Sequence, residues 1–318
     1  MYHILLHADD CLILSTCRKL FEQKFHCLEE YCEKNNVRLQ PSKCCFLAIN
    51  TNEKESIKLK KGEIKYKDES IYLGAMLSAL GSIKSDVTLE IRRRKKHFNR
   101  FYAFLRENHN APLSVKETVL DACVSTAVIN LCESWGDANI KDLERLYRKA
   151  LKYMLGVRKQ VCNEFPYIEL AKPTLQSVIY RRQYIFYMNC IRDRDWPLQR
   201  HMIRQALDVN VAYIKHYGWL TTNFQSADEI TARSMQQLKD SVLRRVDGGH
   251  SRYIAYLALN PTLEKPSIYS TPTPTYKLHN ASRLRMISHE LKIELGRHRR
   301  APLPLEERQC TCGEIETE

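Results

Sequence analysis

No apolar run approaches the roughly 18 residues needed to cross a membrane as a helix, and no basic segment followed by an apolar core opens the chain. Neither a membrane span nor a secretory signal is therefore expected; an intracellular place, in cytoplasm or nucleus, is. The 12 cysteines, at 11, 17, 27, 32, 44, 45, 123, 132, 162, 190, 310 and 312, lack any regular spacing, which argues against a disulfide framework and for a reducing compartment. No internal repeat is evident. Acidic residues are the scarcer charge, 37 against 50 Lys and Arg, for a formal net charge of +13. Basic side chains gain affinity by releasing counterions from phosphates, so this balance points first to nucleic acid, with a merely soluble basic surface as the alternative.

What is present divides along the chain. A length of 318 residues suits two units, one of them partial. Ile4-Leu5-Leu6 and Cys11-Leu12-Ile13-Leu14 read as strands around the four-residue turn His7-Ala8-Asp9-Asp10, a β-hairpin presenting two adjacent carboxylates. Leu20, Phe21, Phe25, Leu28, Tyr31 and Cys32 recur at helical spacing; Gln40-Pro41-Ser42 is a turn, and strands are expected over 43–49, 57–59, 63–66 and 70–77. The predicted fold class is α+β, with this N-terminal part followed by a mostly helical remainder.

From about Ser85 the pattern is helical. Val87, Ile91, Phe98, Phe101, Tyr102 and Leu105 form an apolar stripe, and residues 84–106 hold eight Lys or Arg against two acids. Ser114 and Glu117 fit a capping box for a helix running to about Leu131. Ile140, Leu143, Tyr147, Ala150, Leu151 and Met154 mark another helix that Gly156 should end. Further helices are expected over 175–192, 197–209, 227–246 and 281–296, with Pro261, Pro266, Pro272 and Pro274 marking a linker. The resulting divisions are 1–84, 85–136, 137–258, a Pro-rich linker at 259–280, and 281–318.

An Asp-Asp pair alone is a weak signal, because turns favour Asp for local hydrogen bonding. The order of the pieces that follow is more specific. His7-Ala8-Asp9-Asp10, then Val37 to Lys43, then Tyr72-Leu73-Gly74, the basic helix, Leu131-Cys132-Glu133-Ser134-Trp135, and finally Leu284 to Cys312 resemble the C-terminal part of a non-LTR (LINE-type) retrotransposon reverse transcriptase. The resemblance implies a partial palm over 1–84, a thumb over 85–136 and a C-terminal helical region. It further implies nucleotidyl transfer by two Mg²⁺ ions, with Asp9 and Asp10 as ligands and Lys43 near the triphosphate of a deoxynucleotide. Tyr72, Leu73 and Gly74 would be the primer-grip turn, and Arg92, Arg93, Lys95, Lys96 and Arg100 would hold the phosphates of an RNA-DNA hybrid. A solvated charged helix face is the other reading of that cluster.

Two departures from the family pattern shape the expectation. His7 stands where the family has an aromatic, and the palm's further Asp and the fingers belong upstream of this sequence. The chain, expected to be a truncated piece, should then have little or no polymerase activity alone; a non-catalytic nucleic-acid-binding remnant and a helical interaction protein are the alternatives. Cys310 and Cys312 resemble the start of a zinc knuckle, but neither His289 nor His298 completes it at a persuasive spacing, so a metal-free remnant is expected. His97, His109, His201, His216 and His250 show no ligand-like grouping. Tyr180, Tyr184, Phe186 and Tyr187 read as core, with a single-strand stacking platform as the alternative.

Overall fold

The structure, a computed structural model, describes residues 4–49, 51, 53–60, 62–192, 212–288 and 304. It is α+β, with its strands confined to small sheets near the N-terminus and helices thereafter. Two compact units divide the chain, Met1–Arg93 and Arg94–Glu318.

In the first unit, β1 (Ile4–His7) and β2 (Asp10–Ile13) pair antiparallel, Ile4 opposite Ile13 and His7 opposite Asp10. Helix α1 (Arg18–Lys34) buries Phe25, Glu29 and Cys32, residues three and four apart and so on one face. Tyr31, expected on that stripe, is exposed instead, because one residue before Cys32 the helix has turned it about 100° away. The helix stops at Asn36, whose φ of 55 lets its N–H reach the Glu33 carbonyl and that of Val37 reach the Cys32 carbonyl. Asn tolerates this left-handed turn. β5 (Gly62–Tyr66) lies between β3 (Cys45–Phe46), parallel to it, and β4 (Ile57–Leu59), antiparallel to it. β3 is shorter than the strand expected over 43–49, since Pro41–Lys43 form a 3-10 turn. Phe25, Ile57 and Ile64 make the core, flanked by Ile13, Phe21 and Phe46. β6 (Glu69–Tyr72) and β7 (Ala75–Ser78) close a second hairpin.

Helix α2 (Ile83–Glu107) contains the division between the units. In the second unit, α3 (Leu113–Thr118) continues through a π-helical stretch, Val119–Ser125, into α4 (Thr126–Val128). The expected capping box does not form: the helix already starts at Leu113, after Pro112, which puts Ser114 inside its first turn. Glu117 instead takes Lys265 Nζ at 3.0 Å. Helix α5 (Lys141–Met154) ends as expected at Gly156, at φ 66, with its N–H on the Tyr153 carbonyl and that of Val157 on the Lys152 carbonyl.

Then follow α6 (Phe165–Glu169), α7 (Leu175–Arg192), α8 (Ala212–Asn223), α9 (Ala227–Asp247), α10 (Ser251–Leu259) and α11 (Thr275–Arg285). The helix expected over 197–209 lies outside the described residues. α11 begins earlier than the expected 281 and stops at Arg285, short of the expected 296, where Ile287 takes a φ of 52 and the Ser288 N–H turns back to the Arg283 carbonyl; residues 289–296 lie outside the described residues. The Pro-rich stretch 259–280, expected as a linker, contributes Leu263, Tyr269 and Leu278 to the buried interior. Its Asn260 and the α11 residue Arg285 meet at Glu169, which is fully buried. Arg285 grips that carboxylate through Nε at 3.0 Å and Nη2 at 3.1 Å, while Asn260 and the Tyr256 hydroxyl each donate to it at 3.0 Å.

Candidate functional site

Strand pairing fixes where the two aspartates stand. Because His7 pairs with Asp10, the turn is two residues, Ala8-Asp9, rather than the expected four, and Ala8 takes a positive φ of 51 to close it. Asp9 therefore sits at the tip and Asp10 in the ladder of β2, both exposed. Among the described residues, no group of three or more His, Cys, Asp or Glu side chains is disposed to hold a metal ion. Two neighbouring carboxylates suit Mg²⁺ only where substrate phosphates and water complete an octahedron of oxygens.

The segment Tyr72-Leu73-Gly74 forms the other hairpin's tip. Tyr72 pairs with Ala75, and Leu73 and Gly74 have φ values of 48 and 88. Two consecutive positive φ angles are the mark of a type I′ turn, natural for Gly and strained for Leu. Arg93 Nη2 holds this turn by donating to the Gly74 carbonyl at 2.6 Å, while Glu90 Oε1 receives the same nitrogen at 3.0 Å. The Tyr72 hydroxyl donates to the Leu5 carbonyl at 3.4 Å and so ties the two hairpins together. Lys43 is exposed at the end of the 3-10 turn.

The basic run on α2 is not uniform. Arg93 is committed to Gly74 and Glu90, and Lys95 Nζ meets Asp142 at 2.5 Å. These internal partners supply counter-charge that the sequence alone did not disclose. Arg92, Lys96 and Arg100 are exposed and recur every four residues, the step that aligns side chains on one helix face. Arg94, absent from the sequence-derived candidates, is buried and donates to the Ala127 carbonyl at 2.8 Å and that of Asn130 at 3.3 Å. A cation there complements the carbonyl end of the helix that finishes at Val128. Its signal was in the sequence: Val87, Ile91, Arg94, Phe98, Phe101 and Leu105 form one stripe at steps of three and four.

Leu131 to Trp135 is held mainly by α7 and α8. Arg182 Nε donates to Glu133 Oε1 at 2.5 Å, and Gln183 Nε2 donates to the carbonyls of Cys132 and Gly136, each at 2.9 Å. His216 shares a hydrogen bond with Gln183 Oε1 at 2.9 Å, and burial pushes the His216 pKa down. Burial also raises the Cys132 thiol, to about 12, leaving it unreactive. Trp135 is buried too, so this segment anchors the helices. Tyr184 and Tyr187 join Tyr217, Leu220 and Ile230 in a core cluster, in line with the core reading of the aromatic run. Cys310, Cys312, His201, His289 and His298 lie outside the described residues.

No family model, no curated protein and no solved structure matches this chain. Among the described residues, no helix is long and apolar enough to cross a membrane.

Proposed function

We propose that the chain is the palm-end, thumb and C-terminal helical region of a non-LTR retrotransposon reverse transcriptase, and that it grips an RNA-DNA hybrid. The observation that carries the reading is the Tyr72 to Leu5 bond. It joins the hairpin bearing Asp9 and Asp10 to the Tyr72-Leu73-Gly74 turn, two motifs 62 residues apart in the sequence that a palm needs side by side, one for metal and one for primer. Asp9 and Asp10 would hold Mg²⁺ together with nucleotide phosphates, and the ion would supply charge stabilisation for nucleotidyl transfer. Lys43 would attract the triphosphate. Arg92, Lys96 and Arg100 would contact hybrid phosphates, with Arg93 positioning the grip turn and Lys95 held by Asp142.

A second reading, nucleic-acid binding without a catalytic role, is favoured by the lack of a third carboxylate gathered with Asp9 and Asp10 among the described residues. Iron(II) cleavage separates the two. With Fe²⁺ replacing Mg²⁺, hybrid and deoxynucleotide present, and peroxide and ascorbate added, the polymerase reading expects backbone cuts beside residues 9 and 10, lost in an Asp9→Asn/Asp10→Asn variant. Hybrid binding without those cuts would leave the second reading standing.

A further inference from the structure

Helix α5 keeps its cations on one flank. Arg145 and Lys149, and beside them Arg148 and Lys152, are pairs four residues apart, while Leu143, Tyr147, Ala150 and Leu151 are buried on the other side. Together with Tyr153 and with Lys159 from the following loop, these cations line a cavity of about 310 Å³. Among the described residues, none that lines it is acidic.

The helix's own acids are already engaged. Asp142 receives Lys95 Nζ at 2.5 Å, and Arg145 Nη2 lies 3.5 Å from its other oxygen. Glu144 accepts from the Tyr167 hydroxyl and from the backbone N–H groups of Leu175 at 3.3 Å and Gln176 at 2.9 Å. Asp142 thus offsets part of the Arg145 charge, and among the described residues no acid of the helix is paired with Arg148, Lys149 or Lys152, whose charge can meet an external anion.

Its wall is preorganised. Buried Lys152 directs its three ammonium protons to the Lys159 carbonyl at 2.9 Å, the Val161 carbonyl at 2.5 Å and Asn163 Oδ1 at 3.2 Å. The loop therefore wraps a cation, and burial, with Arg148 nearby, lowers the Lys152 pKa to about 8. From α11, Arg283 Nε donates to the Gly156 carbonyl at 2.9 Å, and the Ser288 Oγ just beyond that helix accepts the Arg158 N–H at 3.0 Å. At the rim Tyr153 is 43% exposed, an aromatic face beside the cations.

We propose that this cavity binds the phosphate backbone of a single-stranded nucleic acid, with a base stacked on Tyr153. A cavity near the small end of the ligand range admits the phosphates of one strand and excludes a duplex. Sequence-tolerant strand binding combines a cationic groove with an aromatic platform, and both are here. An acidic peptide would use the charge and leave the ring idle. Its lining shares no residue with Arg92, Lys96 and Arg100, so its test does not depend on the polymerase reading.

The test is fluorescence anisotropy with fluorescein-labelled oligothymidine, which has no pairing partner, at several salt concentrations. Arg145→Ala/Lys149→Ala/Lys159→Ala alters exposed residues only, and circular dichroism checks its fold. Loss of three phosphate contacts should make the log-log salt slope shallower by about 2 and weaken low-salt binding at least about tenfold. Tyr153→Ala should weaken it by about fivefold or more. Binding that is unchanged in the triple variant but lost in Arg92→Ala/Lys96→Ala/Arg100→Ala overturns the proposal. So does competition by polyglutamate that matches unlabelled oligothymidine charge for charge, with Tyr153→Ala silent.

Discussion

Hairpin β1–β2 and helix α5 hold charge in opposite ways. At the hairpin, Asp9 at the tip of a two-residue turn and Asp10 at the start of β2 are both exposed to solvent, and the neighbouring Leu6 is itself 71% exposed. On α5, every acid has a hydrogen-bonded or ion-paired use inside the unit, and the cations that remain share a cavity with fixed walls. A fixed wall around a charge is what turns it from a solvated group into a recognition element, because the loop that Lys152 holds sets the place of its neighbours before an anion arrives. The hairpin needs phosphates and metal to acquire that order; the α5 cavity has it beforehand.

The sharpest contrast to break is between buried and exposed acids. Glu169→Ala removes a fully buried carboxylate that partners the half-buried Arg285 guanidinium and two further donors, and should cost about 3 kcal/mol in urea denaturation. Asp9→Ala and Asp10→Ala, with exposed side chains, should each shift stability by no more than about 0.5 kcal/mol. A large loss at Asp10 would mean that the hairpin is as internally committed as the helical unit.

Next comes the turn that ends α5 and leads into the cavity's loop. Gly156→Ala forces a side chain into a left-handed residue and drives its Cβ into the His279 ring, so it should destabilise by more than about 1 kcal/mol and weaken oligothymidine binding. Stability and binding that both survive this change would show the wall to be adaptable.

Smaller effects follow from two lowered pKa values. Lys152 faces Arg148 on its own helix and Cys162 and Glu164 from the segment beyond the loop, with burial the main cause of its fall to about 8 from 10.5. Between those values the unfolded state binds more protons than the native one, so this residue's contribution to stability rises with pH across the window. Oligothymidine affinity should fall over the same range as the cavity loses charge. The wild-type stability slope minus that of Lys152→Met reads the first effect. For His216, lowered by burial from 6.5, the stability it contributes is present above 6.5 and lost as pH falls below it. Thermal melts from pH 7 to pH 5 should therefore decline less steeply in His216→Gln than in the wild type.

Local patterns in the sequence explain what was legible. The α7 stripe and the α9 stripe follow a 3.6-residue period, and the helices run over Leu175–Arg192 and Ala227–Asp247, close to expectation. Gly156 was readable as a helix stop because it needs only backbone freedom. Short α10 and α6 escaped notice, as few residues in each repeat the period. Partners across long separations leave no local trace: Glu169 and Arg285 are 116 residues apart, and neither residue type predicts the other. At the candidate sites the aspartates and the basic run were visible as letters, but strand register decided that Asp9 alone tops the turn, and packing decided which cations stay free of acids. The α5 cavity went unread because its helix was recognised by its apolar side.

Nucleic-acid binding is the claim on which the rest depends, and a titration of the 318-residue chain with RNA-DNA hybrid and with oligothymidine, at about 50 mM and about 200 mM salt, tests it most directly. Salt-sensitive binding of both is predicted, with Arg92→Ala/Lys96→Ala/Arg100→Ala weakening the hybrid and Arg145→Ala/Lys149→Ala/Lys159→Ala weakening the single strand. Affinity for neither ligand, or affinity indifferent to salt, would contradict the account.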